Sequence, residues 1–171
     1  MAEETKLITI SMESIESDVM KQVSVIAKRQ KDKAGDSLFG NTTLSAVEKV
    51  VIRQYIESAV RSFAGELAPV VKTYIDSSPP ASVTFNVVRL NDGHKNAFEG
   101  CFRGYVRAYT TYMVLTLSGT EQAKLYSDEA NMLLKDAIKL VFDKEAPSAG
   151  AKTLKDMTGS IESDPQIETI K

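Results

Sequence analysis

Two consecutive helical repeats between Asn91 and Lys144 constrain the fold of this 171-residue chain more than any other feature. Apolar residues recur there at steps of three and four, the spacing that places side chains on one face of an α-helix. The first stripe consists of Phe98, Phe102, Tyr105, Tyr109 and Tyr112, and the second of Ala123, Tyr126, Ala130, Leu133, Ala137 and Leu140. We therefore predict a helical hairpin with the aromatic side chains along its shared seam.

Capping signals indicate where the helices begin. In a capping box a serine oxygen accepts a backbone N–H, and a glutamate three residues later reaches back. Two such pairs occur, Ser45 with Glu48 and Ser118 with Glu121. Asn91 or Asp92 is expected to cap the first helix of the hairpin, which we predict to run to about Leu117.

A further long helix follows the first capping box. Its apolar residues recur every four positions and predict one buried face, made of Val47, Val51, Tyr55, Ala59, Phe63 and Leu67. Arg53, Glu57 and Arg61 form a charge ladder on the solvent side. Pro69 ends or kinks this helix, because its ring clashes with the preceding turn. Residues 70–75 are expected to continue helically beyond the kink.

Two segments alternate between apolar and polar residues, which predicts strands. They are Leu7–Met12 and Ser82–Leu90, and they are expected to pair in a small sheet. Between residues 14 and 29 the pattern fits a helix or a strand, and we favour the helix. Residues 31–43 read as a polar loop.

The elements together predict a mostly helical α+β fold. It has three to four helices, a long C-terminal helical hairpin and a small β-sheet. Residues 1–147 form one helical domain, since Pro147 stops the last helix. Residues 148–171 contain no aromatic side chain and are predicted to be a flexible or extended C-terminal arm.

Composition excludes several classes of protein. The 43% hydrophobic content suffices for one core, and the net charge of −2 provides no general attraction to nucleic acid. A single cysteine, Cys101, excludes an internal disulfide framework. No run of apolar residues is long enough for a membrane span, and the acidic start lacks the pattern of a secretory signal. We expect synthesis in the cytoplasm and no membrane partner.

A second stripe on the aromatic helix consists of small residues. Gly100, Gly104 and Ala108 recur every four positions. Glycine destabilises a helix interior by about 1 kcal/mol relative to alanine, so close approach of another backbone is expected to compensate. That neighbour is either a helix of the same chain or a second subunit.

Other residues of the hairpin are candidates for contacts with a partner. Arg103 and Arg107 lie one turn apart on the polar face and suit a phosphate or carboxylates, or else a solvated, salt-bridged face. Leu125 and Met132 lie opposite the buried stripe of the last helix and predict an exposed apolar surface. The candidate interface is therefore Gly100, Gly104, Arg103, Arg107, Leu125 and Met132.

Catalytic chemistry has little support in the sequence. The glycine-containing loop 35–42 lacks the lysine of a phosphate-binding loop. His94 is the only histidine, and the acidic residues Asp128 and Asp136 lie on different parts of the last helix and do not converge. We predict no catalytic residue, no cofactor, no metal site and no enzymatic activity.

The order of these elements resembles that of a family of viral structural proteins. It comprises the strand in LITISMESIESDV, the helix AVEKVVIRQYIESAVRSFAGEL, the strand SVTFNVVRLND and the hairpin FEGCFRGYVRAYTTYMVLTLSGTEQAKLYSDEANMLLKDAIKLVF. The pattern, with Tyr126 and Ala130 as its Tyr-x-x-x-Ala element, covers roughly residues 7–144. It resembles small head–tail connector and tail-completion proteins of tailed phages of gut Bacteroidetes.

This resemblance implies a structural virion protein in the neck of a phage. Such a subunit forms a ring of identical copies, docks portal and tail proteins, and surrounds DNA that passes through the channel without specific contacts. The alternatives are a small bacterial protein-binding or regulatory helical module, and an enzyme with an anion site at Arg103 and Arg107.

Overall fold

The computed structural model describes residues 5–29, 45–88, 90–116 and 122–143. It has the predicted α+β fold, which is mostly helical and includes a small antiparallel sheet. A short 3-10 turn, Asp92–His94, precedes the third helix. The elements are β1 (Thr5–Ser11), α1 (Met12–Arg29), α2 (Ala46–Leu67), β2 (Val71–Ile75), β3 (Ser82–Val88), α3 (Lys95–Thr116) and α4 (Gln122–Phe142).

The sheet has three strands in the order β1-β3-β2, and both pairings are antiparallel. Phe85 of β3 lies opposite Ile8 of β1 and Thr73 of β2. Side chains alternate along β3, with Val83, Phe85 and Val87 fully buried. The predicted pairing of the first strand with the strand after residue 82 is therefore confirmed, and the buried face of this sheet forms one wall of the core.

The prediction that residues 70–75 continue as a helix was wrong. The last α-helical residue is Leu67, just before Pro69, and the chain then forms β2. Buried Val71 and half-buried Ile75 flank the exposed Lys72 and Tyr74 in a two-residue period. β3 supplies backbone hydrogen-bond partners along this short segment, so tertiary pairing determines its conformation.

Asp76 organises the turn from β2 to β3. Its carboxylate accepts hydrogen bonds from the backbone N–H of Ala81 at 3.1 Å and of Ser82 at 3.0 Å, and from the Ser82 hydroxyl at 3.1 Å. These donors favour the ionised form, and the backbone bond from Ser82 is the main reason that the pKa of Asp76 lies below its usual value. The turn is therefore held by a charged acceptor.

The capping box at the start of α2 is confirmed. The backbone N–H of Glu48 donates to Ser45 Oγ at 3.2 Å, and the Glu48 carboxylate accepts the Ser45 N–H in return. The pair satisfies two donors that have no partner within the helix.

The buried face predicted for α2 was correct only in its second half. Ala59, Phe63 and Leu67 are buried, but Ile52 and Ile56 fill the core where Val47, Val51 and Tyr55 had been expected. Val47 is 75% exposed, and Val51 and Tyr55 are partly exposed. A strict step of four residues rotates by about 40° per step around an α-helix, so the predicted stripe leaves the core face after a few turns.

Phe63 of α2 lies at the centre of an aromatic cluster. Its ring centroid is 5.2 Å from that of Phe102, 6.0 Å from Phe98 and 5.1 Å from Tyr105, all on α3. Phe85 of β3 completes the cluster at 5.8 Å from Phe63. Most of these pairs meet edge to face, the arrangement that the ring quadrupole favours.

This cluster corrects the predicted seam. The helical hairpin of α3 and α4 is present, but Phe98 and Phe102 contact α2 and the sheet rather than line the contact with α4. Small side chains let α4 approach α3 instead, and the buried residues of α4 are Ala123, Ala130, Ala137 and Val141. The aromatic stripe therefore joins the hairpin to the rest of the domain.

The helix favoured for residues 14–29 is confirmed as α1, with Ile15, Val19 and Val23 buried. The predicted charge ladder is present in part. Arg61 donates to Glu57 at 2.8 Å, but Arg53 reaches across to Glu16 of α1 at 2.6 Å.

Three predictions fall outside the described residues, namely the polar loop 31–43, the second capping box at Ser118 and Glu121, and the C-terminal arm 148–171. In the part of the chain that the structure describes, no helix is both long and apolar enough to cross a membrane.

Candidate functional site

The candidate interface residues of α3 lie in a groove between α1 and α3. Ile15, Asp18 and Val19 line it from α1, and Gly100 and Gly104 line it from α3, together with the two arginines of that helix. The groove has a volume of about 260 Å³. The aromatic stripe of α3 faces the other way, towards Phe63 and Phe85, because it lies on the opposite side of the helix.

The two glycines in the groove have different surroundings. A Cβ atom on Gly104 would lie 2.9 Å from Leu133 Cδ1, so this glycine admits α4 of the same chain. A Cβ atom on Gly100 would meet no atom within 4 Å. Close packing inside the described chain therefore explains Gly104 but leaves Gly100 as an exposed glycine within a helix.

Both arginines have carboxylate neighbours in the same chain. Arg103 donates through Nε and Nη2 to Glu99, at 3.0 and 2.8 Å, and through Nη1 to the hydroxyl of Ser14 at 2.7 Å. Arg107 Nη2 lies 3.6 Å from Glu129 Oε1 of α4. Arg103 is held by three hydrogen bonds, whereas Arg107 has a longer ion pair and spare donors.

Leu125 and Met132 are exposed on α4, at 68% and 57% of their surface. They lie four residues before and three residues after Glu129, and therefore on the same side of α4 as that residue. Because Glu129 pairs with Arg107, this side of α4 borders the groove, and the two together make one surface of α1, α3 and α4. We call this surface the outer face; its role as a subunit interface remains a prediction.

Sequence reasoning missed a second apolar patch, on α2. Val47 and Val50 are exposed at 75% and 53%, and Val50 lines a cleft of about 340 Å³ with Pro79 of the β2–β3 turn. We call Val47, Val50 and Pro79 the α2 patch. A helical projection with 100° per residue would have placed both valines opposite Phe63, whereas the step of four used for the prediction placed Val47 in the core.

The described residues provide little for catalysis. Burial, with a contribution from the nearby charge of Asp136, raises the pKa of the Cys101 thiol and so disfavours the reactive thiolate. His94 Nε2 lies 3.5 Å from Asp143 Oδ2 at the end of α4. Among residues 5–29, 45–88, 90–116 and 122–143, no group of histidine, cysteine, aspartate and glutamate is placed to hold a metal ion.

Comparison of the chain with protein-family models, with curated proteins and with solved structures finds no match.

Proposed function

We propose that this chain is a structural virion protein at the head–tail junction of a tailed phage. It forms a ring of identical copies and docks the portal protein and tail proteins. The pattern of elements through which the sequence resembles small connector proteins supports this proposal, and so does the surface chemistry of the domain.

The outer face is the observation that carries the proposal. It combines two large exposed apolar side chains, Leu125 and Met132, with the open backbone at Gly100. The two side chains lie two turns apart on one side of α4, and large apolar side chains exposed on one side of a helix suit a surface that binds another protein. A glycine with free space above it allows a neighbouring chain to approach the backbone of α3, which offsets its unfavourable helix propensity.

The α2 patch provides a second surface for the same assembly, different from the outer face. Val47 and Val50 lie on the solvent side of α2, whereas the outer face belongs to α1, α3 and α4. A contact between two different patches repeats from copy to copy and closes into a ring when the rotation permits. In the proposed ring the outer face of one copy meets the α2 patch of the next.

The pairing of the arginines bears on the enzyme alternative. An anion would have to compete with a carboxylate at each arginine, because Glu99 and Glu129 lie against Arg103 and Arg107. The same pairs suit a protein contact, in which charged groups at the edge of an apolar surface fix the orientation of the partner.

A protein-binding or regulatory module is the second candidate. The groove between α1 and α3 favours it, because the space above Gly100 is open and could receive a side chain of another protein. Such a module would bind one partner as a monomer, whereas a neck protein would bind copies of itself together with portal and tail proteins.

Light scattering coupled to size-exclusion chromatography separates these two candidates. The protein is measured alone and mixed with the products of the genes on either side of its own. The neck proposal predicts a multimer, either alone or only in the mixture. A protein that stays monomeric and binds neither neighbour would contradict the proposal.

A matched pair of variants tests the outer face itself. Gly100→Leu places a bulky side chain in the open groove without a clash in the monomer, so it should reduce assembly and leave folding intact. Gly65→Leu makes the same change at another open glycine, about 27 Å along α2 from Val47, and is the control that should assemble normally. Normal assembly of Gly100→Leu would exclude the groove from the contact.

A further inference from the structure

A second cleft lies between α2, α3 and α4, on the aromatic side of α3 and away from the outer face. Its volume is about 140 Å³, roughly that of five water molecules at about 30 Å³ each. The residues that line it include several with polar side chains, namely Glu66, Tyr105, Tyr109, Tyr112, Ser127 and Asn131. We call this the tyrosine cleft.

The three tyrosines form one connected group. The rings of Tyr105 and Tyr109 stack with centroids 5.6 Å apart, and Tyr112 meets Tyr109 edge to face at 6.1 Å. The Tyr105 hydroxyl is already bonded to Ser62 Oγ at 3.0 Å. The hydroxyls of Tyr109 and Tyr112 have no hydrogen-bond partner among the described residues, so they are available to a ligand.

Glu66 is the one charged residue among the described residues that line the tyrosine cleft. Glu66 contributes a carboxylate that forms no ion pair within the described part of the chain. None of the described residues that line the cleft is a lysine or arginine. An anionic ligand would be repelled there, and a cationic donor would gain a charge attraction that a neutral donor lacks.

The chemistry of the lining selects one class of ligand. A primary ammonium group has three N–H donors and no acceptor. The residues that line the cleft carry several such acceptors, namely the carboxylate of Glu66, the hydroxyls of Tyr109 and Tyr112 and the side-chain oxygen of Asn131. Tyrosine rings also attract a cation that lies within about 6 Å of the ring centre. A nucleotide or a large ring system would exceed the volume.

We propose that the tyrosine cleft binds a primary ammonium group, with Glu66 as its counter-ion and the tyrosine hydroxyls as additional acceptors. The group belongs either to a lysine of another protein copy or to a small free amine. The proposal concerns a site apart from the outer face and stands whether or not the chain forms a ring.

The test uses the full chain, labelled with ¹⁵N, and n-butylammonium chloride as an analogue of the lysine side chain. Amide shifts are followed at constant ionic strength, with n-butanol as the neutral analogue of similar size. We expect saturable shifts in the millimolar range around Glu66, Tyr109 and Asn131 with the amine alone. Shifts that do not saturate, or equal shifts with the alcohol, would overturn the proposal.

Two variants with the same change in net charge make the test specific. Glu66→Gln removes the carboxylate from the cleft and should weaken binding about two- to fivefold, as expected for a charge pair at an exposed residue. Asp128→Asn removes an exposed carboxylate of α4 that does not line the cleft, and should leave binding unchanged. Equal binding by Glu66→Gln and the unmodified protein would refute the assignment of the counter-ion.

Zero-length carbodiimide coupling distinguishes the two sources of the ammonium group, because it joins a carboxylate only to an amine in contact with it. A linked peptide between Glu66 and a lysine of a second copy, found by mass spectrometry, would identify the lysine. Saturable binding of butylammonium without such a link would identify a free amine. Absence of both would overturn the proposal.

Discussion

Gly100 and Gly104 lie one turn apart on α3, yet they serve different contacts. Leu133 of α4 packs into the space that a Cβ atom of residue 104 would take, whereas the space above Gly100 is open. Gly104 therefore belongs to the folding of the monomer, and Gly100 is available for assembly.

Substitution of the two glycines by leucine should give opposite results. Gly104→Leu overpacks the contact with Leu133 and should lower the free energy of unfolding by about 1–3 kcal/mol. Gly100→Leu should leave it unchanged or raise it by up to about 1 kcal/mol, because leucine is the better helix former. Urea unfolding of both variants measures the difference, and equal stability would show that the contact with Leu133 is unimportant.

Asp76 should make the stability of the domain depend on pH. Its pKa is lower in the folded chain than in the unfolded chain, chiefly through the backbone N–H of Ser82. The stabilisation is therefore present above the unfolded pKa of about 3.9 and is lost as the pH falls through the lower folded value. Asp76→Asn removes the charge but keeps one acceptor.

We expect the unmodified protein to be more stable than Asp76→Asn at pH 7, and the difference to shrink steadily below about pH 4. Urea unfolding at several pH values measures this. A difference that stays constant down to pH 3 would mean that the charge of Asp76 does not stabilise the turn.

Individual side chains were predictable where their role is local. The Ser45–Glu48 capping box follows from spacing alone, since both partners lie within one turn. The partner of Arg53 was not predictable, because Glu16 lies 37 positions away and only the packing of α1 on α2 brings the two together. The ion pair between Arg107 and Glu129 was unpredictable for the same reason, because the two residues belong to different helices.

The helices and strands are held together by contacts that differ in kind. α2 begins at a capping box and is fixed to the core by Phe63, whereas α4 is fixed by small side chains against α3. Loss of a cap and loss of the central ring should therefore have effects of different size.

Removal of the cap of α2 should have a moderate effect. Ser45→Ala leaves the Glu48 N–H without its side-chain acceptor and should cost about 1 kcal/mol. Ser58→Ala, within the same helix and exposed, should cause no loss, because alanine is the better helix former. Thermal and urea unfolding compare the two, and equal effects would contradict a role for the cap.

Removal of the central ring should have the largest effect. Phe63 contacts four other aromatic rings, so Phe63→Ala should lower the free energy of unfolding by about 3–5 kcal/mol. Phe142→Ala makes the same chemical change at an exposed position and should cost less than about 1 kcal/mol. If both variants were equally stable, the aromatic cluster would not be the centre of the core.

The sequence predicted the existence of the long helices but not their partners. Periodicity showed that α3 has an aromatic face, yet it carries no information about which element covers that face. Phe63 of α2 and Phe85 of β3 cover that face. The sequence assigns each of them to its own helix or strand and does not show that they contact α3. β2 was missed for a related reason, because its five residues become a strand by pairing with β3.

For the molecule as a whole, the two exposed apolar surfaces lie on different elements. The outer face contains Leu125 and Met132, and the α2 patch contains Val47 and Val50. The proposed ring requires the first surface of one copy to meet the second surface of the next. The exposure of Leu125 and Met132 was predictable because they lie opposite the alanine stripe, whereas their continuity with Gly100 and Arg107 depends on the packing of three helices.

The mass of the assembly formed by the unmodified protein and by the double variant Leu125→Asp, Met132→Asp tests the outer face most directly. Both are measured by light scattering, alone and with the products of the neighbouring genes. We predict a multimer for the unmodified protein and a monomer of unchanged melting temperature for the variant, since both side chains are exposed in the monomer. An unmodified protein that stays monomeric in every mixture, or a variant that assembles as well as the unmodified protein, would contradict the account.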